Sequence, residues 1–194
     1  MNSTLLNYKF YYIFSILTAS FLGIGVPWTT QANLLTLRVE PIAGYEKIQQ
    51  VLPTPHSTNR LIYGARVTAG VLLLSAESEY THGVIEETFN DMTQKTTGDK
   101  LKVGLRSGFR LLPLLSFHVR GGIQADQEQT EQTSAGVTLT TKTSVYHPYG
   151  GAGARISLSP KISATADAVA VIPDIYDLSK NDYQITAGFA VQIP

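Results

Sequence analysis

The 194-residue chain contains no cysteine, which excludes disulfides, thiolate metal sites and a cysteine nucleophile. Charge is sparse as well. Acidic and basic residues together make up 15% of the chain, and with 15 of each they cancel, so no basic footprint for nucleic acid is expected. No phosphate-binding loop occurs: Gly151-Ala152-Gly153 is a lone glycine cluster within a strand-like run, where close packing is the simpler reason for it. The four histidines, His56, His82, His118 and His147, are scattered, and neither a metal site nor a cofactor is expected. The hydrophobic fraction, by contrast, is 43%, enough for one ordinary folded domain rather than a disordered chain.

The N-terminus carries an export signal. Lys9 precedes the uncharged stretch Phe10 to Val26, Pro27 breaks any helix there, and Thr30-Gln31-Ala32 offers small residues at the first and third positions of a signal-peptidase site. Residues 1–32 are read as a signal peptide cut after Ala32, and residues 33–194 as one domain. An uncleaved anchor is the alternative, for which the apolar run is slightly short. The first 32 residues hold one lysine and no acid, so the remainder has a net charge of −1.

From residue 34 onward the pattern is alternation, the period-two signature of strands with two chemically different faces. Tyr183, Ile185, Ala187, Phe189, Val191 and Ile193 share one face of the last strand; Gln184, Thr186, Gly188 and Gln192 share the other. Read this way, the chain yields about eight segments, at 35–46, 60–69, 71–81, 100–111, 114–126, 145–158, 161–172 and 182–193, each long enough for a tilted membrane strand. Ala69-Gly70, Leu112-Pro113 and Ser159-Pro160 read as tight turns, and 47–59, 82–99, 127–144 and 173–181 as longer polar loops. Loop 127–144 keeps some strand propensity through Val137-Thr138-Leu139 and could extend its flanking strands beyond the membrane; it is read first as a solvated spacer with no partner, and partner binding by edge addition is the alternative. Tyr45, Tyr63, Tyr80, Tyr146 and Tyr183 fall near the long-loop end, as an interfacial aromatic girdle requires, while Phe109, Phe117 and Phe189 fall toward the turns.

Residue choice points the charged face inward. Its cations are Arg38, Arg66, Arg106, Arg110, Arg120 and Arg155 against Lys102 alone, and arginine suits buried, multidentate pairing. The acids Glu40, Glu77, Glu79, Asp126 and Asp167 lie mainly on alternate strands, so neighbouring strands bring opposite charges together in a lumen charge network. Gly64, Gly104, Gly108, Gly122, Gly151 and Gly153 share that face and leave room for long side chains. Ala164, Ala166, Ala168 and Ala170 form the apolar face of the seventh strand.

The expected fold is therefore all-β, a closed antiparallel up-and-down transmembrane barrel of about eight strands. Through its alternating terminal strand, signal peptide, turn and loop asymmetry and tyrosine girdle, the chain resembles the small outer-membrane barrel proteins of the OmpA, OmpX and OmpW type. The resemblance implies location in the outer membrane, contact with membrane lipids and lipopolysaccharide, insertion by the barrel-assembly machinery, and a monomer. Such families finish on an aromatic residue, whereas this chain finishes Gln192-Ile193-Pro194. The role expected is non-enzymatic: envelope integrity, surface interaction or porin-like passage of small solutes.

Two other classes compete. A soluble lipocalin-like barrel would turn the apolar face inward around a small apolar ligand. A lipid A-modifying enzyme would use Ser116 and His118, two residues apart on one face, with Glu77 or Glu79 as the orienting acid.

Overall fold

The computed structural model describes residues 35–50, 56–71, 73–89, 92–134, 136–173 and 181–193, and the expected signal peptide lies outside them. Eight strands follow in order: β1 (Leu35–Gln50), β2 (His56–Val71), β3 (Leu74–Phe89), β4 (Met92–Arg110), β5 (Leu115–Ser134), β6 (Val137–Ser157), β7 (Ile162–Val171) and β8 (Asp182–Ile193). Each is antiparallel to its sequence neighbour. β8 also pairs with β1, from Leu37 opposite Ile193 to Lys47 opposite Tyr183, and the sheet closes into a barrel. An even strand number is what lets the first and last strands meet antiparallel.

Alternation becomes two faces because successive side chains of a strand point to opposite sides of the sheet. Leu105, Phe109, Ile123, Ile185 and Phe189 stand on the outer wall, more than half exposed. Arg66, Glu77, Lys102, Arg120, Gln124 and Asp167 are buried inside. The lumen also holds Ile42, Ile48, Ile62, Val169 and Val171, so its lining is ionic at the centre and partly apolar beside it. The lipocalin-like alternative is thereby overturned: the apolar face is the outer one.

Two of the expected tight turns form with a clear local cause. Pro113 is the second residue of a turn in which the Leu115 N–H donates to the Leu112 carbonyl at 3.1 Å, and proline's fixed φ suits that position. Around Pro160, the Ser159 hydroxyl accepts from the Ile162 N–H at 3.1 Å, replacing a ladder bond the turn cannot make. The third turn lies elsewhere. Ala69 faces Ala76 and Gly70 faces Ser75 within the ladder, and β3 begins at Leu74. Gly70 marks a close approach to Ser75, where a Cβ would clash, rather than a change of direction.

Three of the expected polar loops are mostly strand. β3 and β4 stay paired out to Phe89 opposite Met92, β5 and β6 out to Ser134 opposite Val137, and β1 and β2 out to Gln50 opposite His56. Threonine-rich stretches such as 138–143 favour extended backbone once a partner strand is present, and Gly136, at φ 78°, supplies the left-handed turn residue between β5 and β6. The β6–β7 ladder reaches only to Tyr149 opposite Val171, so among the described residues 137–147 pair with β5 alone. Among the described residues the ladders toward the long hairpins run further over β3–β6 than over β7 and β8.

The β1–β8 seam can be tested in a chain free of cysteine. Val39 and Val191 are directly opposite, a separation that a disulfide spans. Oxidation of the V39C/V191C variant is expected to give a compact cross-linked band from folded protein only, whereas V39C/I185C is expected to give none. Equal cross-linking of both would refute the register.

Candidate functional site

The register assembles the lumen. On β2, Arg66 lies opposite Glu40 of β1 and Glu79 of β3, and Glu79 in turn lies opposite Lys102 of β4. Arg66 Nε donates to Glu79 at 2.7 Å, while its Nη1 donates to Glu40 at 3.0 Å and across the lumen to Asp167 at 2.8 Å. The Thr165 hydroxyl also donates to Glu40. Lys102 Nζ reaches Glu79 at 2.6 Å. Arg106 and Arg120 are directly opposite, a repulsive placement, and Glu77 bridges them: one carboxylate oxygen accepts from Arg106 Nε at 3.2 Å and the other from Arg120 Nε at 2.7 Å. Tyr149 donates its hydroxyl to Glu77 at 2.8 Å, and its ring lies 5.5 Å from the Arg120 guanidinium carbon.

A second cluster sits nearer the long hairpins. Arg60 Nε donates to Glu46 at 2.6 Å and its Nη2 to Glu128 at 2.9 Å. Lys100 Nζ lies 2.7 Å from Glu46 and 3.8 Å from Asp126. Gln184 and Gln124 tie Glu46 and Asp126 at 3.0 and 2.7 Å. Charge-assisted bonds of this kind are the strong ones, the more so between buried groups.

Of the lumen residues named from the sequence, Glu40, Arg66, Glu77, Glu79, Lys102, Arg106, Arg120 and Asp167 meet in the first cluster, and Asp126 stands in the second. Arg38, Arg110 and Arg155 do not join them. They lie at the turn end opposite Thr68 and Gln192, opposite Ser116, and opposite Ser116 and Thr165, so no carboxylate neighbours them across the ladder. Glu46, Arg60, Lys100, Glu128 and Tyr149 were not anticipated. Their signal was parity, since each shares the odd or even register of the lumen residues on its own strand. Glu46, Arg60 and Lys100, however, stand at the very ends of the expected segments, and Glu128 lies beyond one.

Two lumen glycines make the clusters possible. A Cβ on Gly104 would strike the Tyr149 hydroxyl, and one on Gly153 would come within 2.5 Å of His118 Nε2 and 2.6 Å of Asp167 Oδ1. The hydrolase reading fares poorly on geometry. His118 Nε2 is bonded to Asp167 at 2.6 Å, inside the barrel, and Ser116 lies nearer the turn-end mouth, away from the outer wall where acyl chains would reach a nucleophile. Among the described residues no group of three or more His, Asp or Glu is assembled for a metal ion. The five girdle tyrosines, Tyr45, Tyr63, Tyr80, Tyr146 and Tyr183, all face outward and are exposed; Tyr80 donates to Asp99 at 2.5 Å and Tyr63 meets His82 edge-on.

Closed ring, greasy exterior and ionic interior define an eight-stranded barrel of the outer-membrane type. No protein-family model and no curated protein matches the sequence. Solved structures do match. A major outer membrane protein from Thermus thermophilus is 11% identical at TM-score 0.57, over 82% of this chain and 99% of that one. Ail, the attachment invasion locus protein of Yersinia pestis, is 11% identical at TM-score 0.55, over 81% and 99%, in a complex with the heparin analogue sucrose octasulfate. Neisserial surface protein A is 12% identical at TM-score 0.55, over 81% and 97%. At these identities the likeness is one of fold.

The clusters rank their own members. Arg66→Ala leaves three buried acids short of a cation and is expected to destabilise the barrel by about 3–5 kcal/mol. Arg106→Ala leaves Glu77 and Asp167 with their other donors and is expected to cost about 1–3 kcal/mol. Denaturant unfolding in detergent micelles checks both, and the reverse order would contradict the network as drawn.

Proposed function

We propose that the chain is an integral outer-membrane protein with a structural and surface-interaction role and no catalytic one. The observation that carries this reading is inverted polarity: Ile185 is 67% exposed on the outside, while Arg66 is 0% exposed within. Water would penalise that outer wall, whereas lipid accepts it, and closure pairs the backbone groups that lipid cannot satisfy. The tyrosine girdle supports the same placement, with the long hairpins outside the cell and both ends of the barrel chain in the periplasm. Its surroundings would then be membrane lipids and lipopolysaccharide, reached as a monomer through the barrel-assembly machinery.

Structure and surface contact are favoured over solute passage because Arg66, Lys102 and Gln124 fill the lumen and are each fully buried. The β5–β6 ribbon, polar and, among the described residues, paired on one side only beyond the β7 end, offers an edge to which a partner strand can add. Among structures of this fold, one carries attachment and another surface in its name, which supports the direction.

Cell fractionation with gel electrophoresis of unboiled and boiled samples tests the assignment. Recovery in the outer-membrane fraction with a heat-dependent shift in migration is expected, and soluble recovery without a shift would overturn it. In the same membranes, cysteines replacing Ile185 or Leu105 are expected to react with lipid-soluble thiol reagents and to resist charged ones; labelling by the charged reagents would place that wall in water.

A further inference from the structure

The turn end of the lumen is a cationic cavity that the charge clusters do not neutralise. Its volume is about 480 Å³, and its lining includes Arg38, Arg106, Arg110 and Arg155 with Ser116 and His118 and, among the described residues, no acid. Arg106 is 4% exposed; its Nε and Nη2 turn inward to Glu77 and Asp167, and its Nη1 has no hydrogen-bond partner. The buried Nε of Arg155 has none either. Arg38 makes a single long bond, 3.4 Å, to the Gln192 side-chain carbonyl. Arg38, Arg110 and Arg155 thus line a space with no carboxylate among its described residues. Arg106 closes the inner end with two of its three nitrogens already on Glu77 and Asp167, and Arg106 and Arg155 each hold a buried donor with nothing to donate to. Buried donors in that state are costly, and like charges crowded at one mouth repel. An anion removes both penalties at once.

We propose that this vestibule binds a phosphate-type oxyanion, most tightly as an ester carrying a short apolar group. Guanidinium forks match tetrahedral oxyanions, and the Ser116 hydroxyl adds a neutral donor beside them. The apolar preference comes from the rim, where Leu73, Pro113 and Leu114 of the turns line the opening. Ester oxygens enter toward the arginines, and the alkyl group lies against the leucines. The inference rests on the fold and lumen alone and stands whether or not the outer wall meets lipid.

Inorganic phosphate and hexyl phosphate, each titrated into the folded full-length barrel in a non-ionic detergent, provide the probes, with thermal unfolding and calorimetry as readouts. Both are expected to bind saturably, hexyl phosphate about tenfold more tightly or better. In Arg155→Gln and Arg38→Gln, the unfolding midpoint without anion is expected to rise, because like-charge repulsion is relieved, while phosphate affinity falls about tenfold or more. A merely structural pair of arginines would lower the midpoint instead. Transfer to phosphatidylglycerol vesicles separates the sources of the phosphate group. Loss of hexyl phosphate binding there, but not in phosphatidylcholine, identifies a lipid headgroup as the occupant, and retained binding in both identifies a free ester. Stabilisation matched by sodium chloride at equal ionic strength, or undiminished in the R38Q/R155Q double variant, would overturn the proposal.

Discussion

Arg66 is fully buried inside a tube whose outer wall is apolar, and its guanidinium bonds Glu40, Glu79 and Asp167 together. The rest of the structure depends on that contact. Ions taken out of water carry a desolvation penalty that only good geometry offsets, so the benefit of the network is measured against broken pairs rather than against an apolar filling. What it secures is register. Slipping β2 by one residue would turn Arg60 and Arg66 outward and bring Leu61 and Tyr63 into the lumen, taking a cation from each of Glu40, Glu46, Glu79, Glu128 and Asp167 at a stroke. The ionic interior thus selects one arrangement of strands where an oily interior would tolerate several.

The same logic explains which parts of the molecule were legible beforehand. Strand number and the two faces of each strand followed from period-two alternation, because residues such as Leu105 and Arg106 leave no ambiguity about parity; which face turns inward was legible only from the arginines and glycines on the charged side. Strand length was not legible. Segments such as 82–99 and 127–144 are mostly polar and break the clean alternation of the central strands, and polarity alone reads as loop until a partner strand is known to continue beside it. That error put Glu128 in a loop and left Arg60 and Lys100 as end residues with no visible partners. The mistaken turn at Gly70 came from reading a glycine as a bend where it marks close approach of two backbones.

Charge along the lumen is graded. Toward the long hairpins, Glu46, Asp126 and Glu128 face Arg60 and Lys100; in the middle, acids and bases interlock; toward the turns, Arg38, Arg110 and Arg155 have no acid across the ladder. A chain with no net charge can therefore present two chemically different mouths, and whole-chain composition says nothing of either.

Closure has a further consequence for how such a chain comes into being. Arg38 bonds Gln192, 154 residues away, and Leu37 lies opposite Ile193, so the first strand of the barrel finds its second neighbour only when the last has been made. Until the two meet, β1 and β8 are both open edges, and the hairpins between them cannot cover either. Contacts this distant are slow to form. The ring is in this sense complete only at its seam: both edges stay open to other chains until the twelve-residue β8 has paired with β1.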